Sequence, residues 1–267
     1  MNAVQVLVLG GGGPIGAALA RRATAAGCRV VVTTRHELDV SDAAAVTTRL
    51  SRLKPDAVIN LVNPRLEAGD VDTAAGVAGS LTRWAAESGV ARMVFASSGA
   101  VYGDTGAVPF TESDGLRGDS PYARVKIRSE QAIAAEAARA GIAALSMRIF
   151  NVFGEGCHQS LINKLLERHR PVLALSANYV RDYVHVDEVA DALLAACAAP
   201  DVTGVVNVAT GEATDNLMLA DAAGPGAFEA LDESIVSYSV GDPSQLTSSL
   251  EWKPTRSAIA ELRTRLA

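Results

Sequence analysis

Residues 4–16 read VQVLVLGGGGPIG, and they decide how the chain begins to fold. The first six residues form an apolar run with the length and composition of a buried strand. Four glycines follow at once, and the next segment, residues 17–26, is predicted to be a helix that Gly27 ends. A strand, a glycine loop and a helix in direct succession are the context in which a glycine-rich loop binds a dinucleotide.

The glycines of this loop are spaced G-x-x-G-x-x-G, and each has a predicted role. Gly10 permits the tight turn, Gly13 lets the backbone approach a pyrophosphate, and Gly16 lets the helix pack against the strand. Pro14 and Ile15 lie in this loop directly before the helix, whose free N–H groups and positive dipole end favour phosphate. We predict that these five residues bind the cofactor.

A second motif lies in the stretch SPYARVK, residues 120–126. Pro121 can open a helix, and Tyr122 and Lys126 then share one face of it. A free phenol has a pKa of about 10, and a neighbouring cation lowers that pKa. A lowering of about three units takes about 4 kcal/mol and gives a phenol that exchanges protons near neutral pH. The alternative is a chance pair on a solvated helix.

Strands and helices alternate along the first 150 residues. The predicted strands are 4–9, 29–34, 57–62, 92–97 and 143–150, and the predicted helices are 17–26, 43–53, 73–88 and 122–140. This order predicts an α/β fold, a Rossmann-like doubly wound parallel sheet, with a small C-terminal substrate lobe. We expect a dinucleotide-binding domain over 1–150 with a return segment near 176–210, and the lobe over 151–175 and 211–267.

Bulk composition narrows the classes of function. The chain has 267 residues, is 49% hydrophobic and carries a net charge of −6, so it can form a core but offers no basic surface for nucleic acid. Cys28, Cys157 and Cys197 are scattered, which predicts neither disulfides nor a metal site and suits a reducing compartment. With no predicted signal peptide and no apolar run of membrane-spanning length, we expect a cytoplasmic protein.

Several further stretches occur together in this chain. They are FASSGAVYG at 95–103, RIFNVFG at 148–154, RDYVHVDEVA at 181–190 and NVATG at 207–211. With the glycine loop and the Tyr122/Lys126 pair, they resemble the extended short-chain dehydrogenase/reductase family, the NAD-dependent epimerase/dehydratase type that modifies nucleotide sugars. The resemblance covers most of the chain and is weakest after about residue 215.

The resemblance implies a catalytic set and a substrate site. Tyr122 would be the acid/base, Lys126 would tune it and hold the cofactor ribose, and Ser98 would polarise the substrate oxygen. Arg181 matches an arginine that pairs with the diphosphate, and Asn151 matches a residue near the sugar. A second arginine, common two residues before a Gly-Asp step, is missing here because Ser239 and Val240 precede Gly241.

The cofactor prediction rests on the end of the second strand. No Asp or Glu follows Thr33 at the position that binds the ribose 2′-OH of NAD, and Arg35 can instead meet a 2′-phosphate. Thr34 and Arg35 are therefore predicted to bind NADP, with NAD as the alternative, and Asp39 and Val40 resemble the adenine contact. The alternative for Arg35 is a solvated loop residue.

The implied function is an enzyme, most simply a nucleotide-sugar 4-ketoreductase that consumes NADPH. A nucleotide-sugar epimerase with tightly bound NAD is the close alternative. Dehydration is disfavoured because Gly99 and Ala100 stand where dehydratases carry an Asp-Glu pair. A smaller polyol-like ketone remains open as substrate, as does a non-catalytic NADP(H) sensor.

Other polar residues are predicted to be structural. We interpret Tyr102 as a packing residue, Asp187 as a helix cap and His185 as an internal histidine with its hydrogen bonds satisfied. A homodimer is expected through the helix with Leu81 and Trp84 and the helix with Ile127 and Ile133, although both helices could simply pack on the sheet.

Overall fold

The computed structural model of the protein describes residues 3–63, 71–231 and 235–266. A six-stranded parallel sheet forms its centre, with helices on both faces. The strands, in chain order, are β1 Val4–Leu9, β2 Cys28–Val32, β3 Ala57–Asn60, β4 Arg92–Ser98, β5 Ala143–Ile149, β6 Asn151–Phe153, β7 Val172–Ala174, β8 Tyr179–Arg181, β9 Tyr183–His185, β10 Gly204–Val208, β11 Thr214–Asp215, β12 Glu229–Leu231 and β13 Ser237–Ser239.

The helices follow the pattern of alternation that the sequence predicts. They are α1 Pro14–Arg22, α2 Ala43–Leu53, α3 Val71–Glu87, α4 Pro121–Ala140, α5 Leu161–Leu166, α6 Val186–Ala198, α7 Asn216–Ala223, α8 Ser244–Leu250 and α9 Ala258–Leu266. A single turn of 3-10 helix, Gly99–Tyr102, follows β4 directly.

The order of strands in the central sheet is β10-β5-β4-β3-β1-β2. The chain runs outward from β1 to β2, returns to β3 on the other side of β1, and continues to β10. Such a reversal of direction next to β1 is the point where doubly wound sheets bind ligands, beyond the carboxyl ends of the strands. The predicted Rossmann-like fold is therefore confirmed.

The apolar core lies in two layers, one on each face of this sheet. Strand residues such as Val6 and Val94 pack on one face with α1 and α6. Alternate residues such as Leu7 and Met93 pack on the other face with α2, α3 and α4. Because both faces are covered, the strands are apolar along their whole length rather than at every second residue.

Element boundaries differ from the prediction mainly at α1. The helix begins at Pro14 and ends at Arg22, whereas the sequence predicted residues 17–26. Pro14 occupies the first turn, where its missing N–H has no cost. The chain then turns through residues 23–27, and Gly27 adopts φ +67° at the end of that turn rather than at the end of the helix.

Beyond β5 the chain builds a smaller set of sheets and a separate apolar cluster. That cluster includes Phe153, Ile162, Leu219 and Leu262. It draws on both 151–175 and 211–267, and we retain the division into a dinucleotide-binding domain and a substrate lobe as a proposal. Strand β10 lies at the edge of the central sheet, so the return segment contributes a strand to it.

Asp182 connects this smaller part to the central sheet. Its fully buried carboxylate accepts hydrogen bonds from the Thr210 backbone (2.9 Å) and hydroxyl (2.7 Å) and from the Gly211 backbone (2.8 Å). A longer bond comes from the Gly241 backbone at 3.4 Å. These hydrogen bonds compensate the burial of the Asp182 carboxylate.

The predicted cap of α6 is wrong by two residues. His185, not Asp187, caps the helix, and its ring nitrogen accepts from the Asp187 backbone at 3.2 Å. The Asp187 carboxylate instead accepts from Arg21 at 2.8 Å. His185 is 6% exposed, as the interpretation of an internal histidine requires.

The cysteines form no disulfide, and the residues that the structure describes include neither a metal site nor a membrane-spanning helix. The three cysteines are buried and free. Over the described ranges, no cluster of three or more His, Cys, Asp or Glu side chains has the arrangement of a metal site. No helix among the residues that the structure describes is long and apolar enough to cross a bilayer.

Candidate active site

Three cavities form a continuous cleft along the carboxyl edge of the central sheet. The nucleotide cavity, of about 590 Å³, lies between the glycine loop and the segment after β2. The central cavity, of about 390 Å³, shares Gly10 and Gly13 with it. The outer cavity, of about 350 Å³, shares Ser98 and Phe150 with the central one. Cavities of this size suit small ligands.

The glycine loop follows β1 and has two positions that no side chain could occupy without strain. Gly10 adopts φ +75°, which favours glycine. A β-carbon at Gly16 would lie 2.0 Å from the carbonyl oxygen of Gly11. Gly16 therefore lets the helix pack against the loop backbone, not against the strand as predicted.

Gly13 provides the test of whether a cofactor diphosphate fits. It is the N-cap residue of α1, and a β-carbon there would meet no atom within 4 Å. Gly13, Pro14, Ile15 and Gly16 all line the central cavity, so the uncovered backbone and the first turn of the helix face open space. A helix N-terminus without acidic side chains in its first turn suits a diphosphate, so these residues fit the implied cofactor.

Of the predicted cofactor-binding residues after β2, three line the nucleotide cavity and one does not. Arg35, Asp39 and Val40 line the nucleotide cavity, as the prediction requires. Thr34 is not among the residues that line it, and its backbone N–H donates to the Glu37 carboxylate at 2.8 Å. The Asp39 carboxylate accepts from the Ser41 hydroxyl at 2.7 Å, which lowers the pKa of Asp39.

Ser98, Tyr122 and Lys126 meet in the central cavity beside the glycine loop. Ser98 is the last residue of β4, and Tyr122 and Lys126 lie one helical turn apart near the start of α4. The Lys126 Nζ atom is 5.7 Å from the centroid of the Tyr122 ring and donates to the Ala96 carbonyl at 2.8 Å. The three predicted catalytic side chains are thus brought together.

The electrostatics of the pair differ from the expectation. Tyr122 is 36% exposed along the open cleft, yet burial of its phenol raises the pKa, and a hydrogen bond with Ser98 lowers it only in part. Burial lowers the pKa of Lys126 to about 8, against the opposing effect of Glu130. The predicted lowering of the phenol pKa by Lys126 is not found, because burial is the largest effect on the phenol, and the Lys126 ammonium donates to the Ala96 carbonyl.

A buried polar network lies behind Lys126. The Ser97 hydroxyl donates to Glu130, and Arg148 donates to Glu130 through Nη2 at 2.7 Å and Nε at 3.1 Å. Arg148 also donates to the Tyr102 hydroxyl at 2.8 Å, which donates in turn to Asn207 at 2.7 Å. Burial raises the pKa of Tyr102 to about 12, so this phenol is structural, as predicted.

The outer cavity holds the two predicted substrate residues. Asn151 donates its side-chain amide to the Asp182 carbonyl at 2.9 Å. The Arg181 guanidinium donates to the Ser237 hydroxyl at 2.7 Å, stacks on the Tyr179 ring and lies 3.6 Å from Asp104. These contacts hold the guanidinium in place beside the cavity that extends from Ser98.

Several lining residues were not found from the sequence. Asn63 follows β3 and lines both the nucleotide and central cavities, and its position after a strand was the available signal. Asp104, Asp119 and Ser239 line the outer cavity. The first two lie in irregular segments, and only the fold brings them to Ser98.

Comparison with known sequences agrees with the family resemblance of the motifs. The family described as "NAD dependent epimerase/dehydratase family" matches residues 6–209. A UDP-glucose 4-epimerase from Streptomyces lividans is 29% identical over 72% of this chain and 71% of its own. A dTDP-L-rhamnose 4-epimerase from Burkholderia thailandensis is 28% identical over 98% of this chain and 95% of its own.

Solved structures share the fold over nearly the whole chain. The UDP-glucose 4-epimerase of Thermus thermophilus, solved in complex with NAD, has a TM-score of 0.77, is 25% identical and covers 98% of both chains. The UDP-N-acetylglucosamine 4-epimerase of Bacillus cereus has a TM-score of 0.83, is 19% identical and covers 98% of this chain and 95% of its own. The predicted resemblance is therefore confirmed, and the chain is an enzyme of the NAD-dependent epimerase/dehydratase family.

Proposed function

We propose that the protein is a nucleotide-sugar oxidoreductase, most simply a 4-ketoreductase that uses Ser98, Tyr122 and Lys126. The observation that carries this proposal is the meeting of these three side chains in one cavity with the glycine loop. That cavity continues into a second one lined by Arg181 and Asn151, which leaves room for a substrate beside the cofactor.

The side chains then have separate roles. When bound, the nicotinamide cofactor supplies or accepts the hydride. Tyr122 gives a proton to the substrate oxygen, Ser98 donates a hydrogen bond to the same oxygen, and Lys126 donates to the cofactor ribose. Because the phenol is not acidic by itself, its proton is held firmly until charge develops on the oxygen it faces.

Arg35 supports NADP as the cofactor. Its side chain lines the nucleotide cavity at the end of β2, and no carboxylate stands directly after that strand. A guanidinium is well shaped for a 2′-phosphate. Glu37 and Asp39 lie nearby, and their negative charges favour the uncharged ribose of NAD, which keeps NAD as the alternative cofactor.

An epimerase with bound NAD is the second candidate. The relatives named above are 4-epimerases, and one solved relative binds NAD. Gly99 and Ala100 line the outer cavity and carry no acid or base, so dehydration is not favoured. A non-catalytic sensor is least favoured, since it would have no use for the three catalytic side chains in one cavity.

We also propose a cytoplasmic homodimer formed through α3 and α4, which pack against each other. Leu81 and Ile133 are 1% exposed and belong to the core of the protomer, so they do not contribute to such an interface. Trp84 and Ile127 are partly buried and remain available for it.

The reaction class can be measured directly. Purified protein is incubated with 4-keto and unmodified nucleotide sugars, with and without NADPH, and the absorbance of the reduced cofactor is followed. We expect consumption of NADPH with a 4-keto sugar. Isomerisation of an unmodified sugar with no net change in cofactor would identify the epimerase instead, and neither reaction across the panel would contradict both assignments.

Replacement of Tyr122 by Phe tests the catalytic set. We expect turnover to fall by at least about 100-fold because the proton donor is lost. Affinity for the cofactor should stay within about twofold of its original value, measured by fluorescence titration. Tyr183→Phe, which alters a buried tyrosine of the smaller apolar cluster, is the matched control. Unchanged turnover in Tyr122→Phe would remove Tyr122 from the catalytic set, whereas a protein that binds cofactor without any turnover would favour the sensor.

Replacement of Arg35 by Ala tests the choice of cofactor. Loss of a charge-assisted hydrogen bond to the 2′-phosphate should weaken NADPH binding by about 10-fold or more and leave NADH binding nearly unchanged. Isothermal titration with both cofactors measures the difference. Arg52→Ala, on the exposed end of α2, should alter neither. An equal loss for NADH and NADPH would remove the assignment.

Replacement of Arg181 by Ala tests the substrate class. We expect binding of a diphosphate-linked sugar to weaken by about tenfold, or 1.4 kcal/mol. UDP-glucose is the probe, and the dissociation constant is measured by titration. Arg263→Ala removes an exposed arginine paired with Asp221 far from the cleft and should have no effect. An unchanged affinity in Arg181→Ala points to a smaller substrate.

A further inference from the structure

We propose that Glu130 is a positioning residue whose buried carboxylate keeps Lys126 protonated and holds α4 against the end of β4. Glu130 lines none of the three cavities of the cleft, so it acts through Lys126 and Ser97. The proposal deepens the proposed function and rests on it for the role of Lys126. The charge state of Lys126, however, can be tested without any ligand.

Glu130 and Lys126 each form a hydrogen bond with one of two neighbouring residues of β4. They lie one turn apart on α4, on the same face, and are 6% and 4% exposed. Lys126 donates to the Ala96 carbonyl at 2.8 Å, and the Ser97 hydroxyl donates to Glu130. The next residue is Ser98, so the two contacts fix the strand where the catalytic hydroxyl begins.

Arg148 on β5 holds the Glu130 carboxylate in place. The two side chains are 5% and 7% exposed, and Nη2 and Nε of the guanidinium both bond to the carboxylate. Arg148 is itself held by the Tyr102 hydroxyl at 2.8 Å. The carboxylate therefore cannot turn away from Lys126 without leaving a buried arginine unpaired.

The charged and titratable groups around Lys126 can be named element by element. On α4 they are Tyr122 and Glu130, on β5 Arg148, and in the 3-10 turn Tyr102, which contacts Arg148. From β4 the ammonium meets only the Ala96 carbonyl and, at 4.8 Å from its centroid, the Phe95 ring. Among these groups, Glu130 is the carboxylate, so it supplies the negative charge that acts on Lys126.

Burial and Glu130 shift the pKa of Lys126 in opposite directions. Burial lowers the pKa of Lys126 to about 8, and Glu130 is the group that opposes the lowering. Without that charge we expect the pKa of Lys126 to fall further below its ordinary value, so the cation is lost at a lower pH than in the original protein.

The test is a titration of Lys126 in the ligand-free protein. The chain has four lysines, at 54, 126, 164 and 253, so carbon-13 labelling of the lysine ε-carbon gives few resonances, and Lys126→Met assigns one of them. In Glu130→Gln we expect the Lys126 midpoint to move down by about one pH unit or more, with the other three lysines unchanged. An unmoved midpoint in the folded variant overturns the proposal.

Glu188→Gln is the matched control. Glu188 is also 6% exposed, lies on α6, and accepts hydrogen bonds from Thr255 and from the Arg256 backbone. Its replacement removes an equally buried carboxylate outside the cleft and should leave the Lys126 midpoint in place. If both variants shifted the midpoint equally, the effect would be a general loss of structure and the proposal would fail.

A second variant covers the case in which Glu130→Gln does not fold. Glu130→Gln with Arg148→Met removes the buried cation together with its partner, and such a paired replacement is often well tolerated. The Lys126 midpoint should still lie below that of the original protein, because Glu130 is the charge that raises the pKa of Lys126. A midpoint equal to or above the original value in this variant overturns the proposal.

Cofactor binding gives an independent readout. With Glu130→Gln, NADPH affinity should fall at about pH 7.5 and recover at about pH 6, where Lys126 regains its proton, whereas a purely structural defect would persist at both pH values. If the protein bound no cofactor at all, the proposed function would fail while the lysine titration could still succeed, so the two failures are distinguishable.

Discussion

The site depends on a lysine ammonium that is almost fully enclosed. Lys126 is 4% exposed and has the Ala96 carbonyl as its hydrogen-bond acceptor in the structure, so the strand that ends in Ser98 and the helix that carries Tyr122 are joined through it. Desolvation makes this charge costly. The Ala96 carbonyl and the negative charge of Glu130 favour this ammonium in place of water.

The parallel sheet turns this local contact into a site. The carboxyl ends of β1 and β4 lie at one edge, so the glycine loop and Ser98, which are far apart in sequence, face the same cleft. The smaller part of the chain then closes the outer end with Arg181, whose orientation is set by Tyr179 and Ser237. The proposed cofactor and substrate regions thus come from different segments, and Arg181 itself belongs to the return segment, 176–210, that the proposed division assigns to the dinucleotide-binding domain.

Much of this arrangement could be predicted from the sequence because it depends on local signals. The glycine loop, the Tyr122/Lys126 spacing and the alternation of strands and helices each act within a few residues. The pKa of Tyr122 and the amide partner of Thr34 could not be predicted, because burial and loop geometry decide them. The burial of Glu130 could not be predicted either. A glutamate on a helix is ordinarily solvated, and its pairing with Arg148 on β5 depends on how α4 packs on the sheet.

The hydrogen bonds of Asp182 limit how this chain could be recombined. One carboxylate satisfies the backbone of the adjacent residues Thr210 and Gly211 and of Gly241, which lies 30 residues further along the chain. A chimera joined to a homologue between residues 182 and 210 would have to preserve these amide positions to within a hydrogen-bond length. Side chains that line the outer cavity can therefore vary while the backbone that Asp182 holds stays fixed.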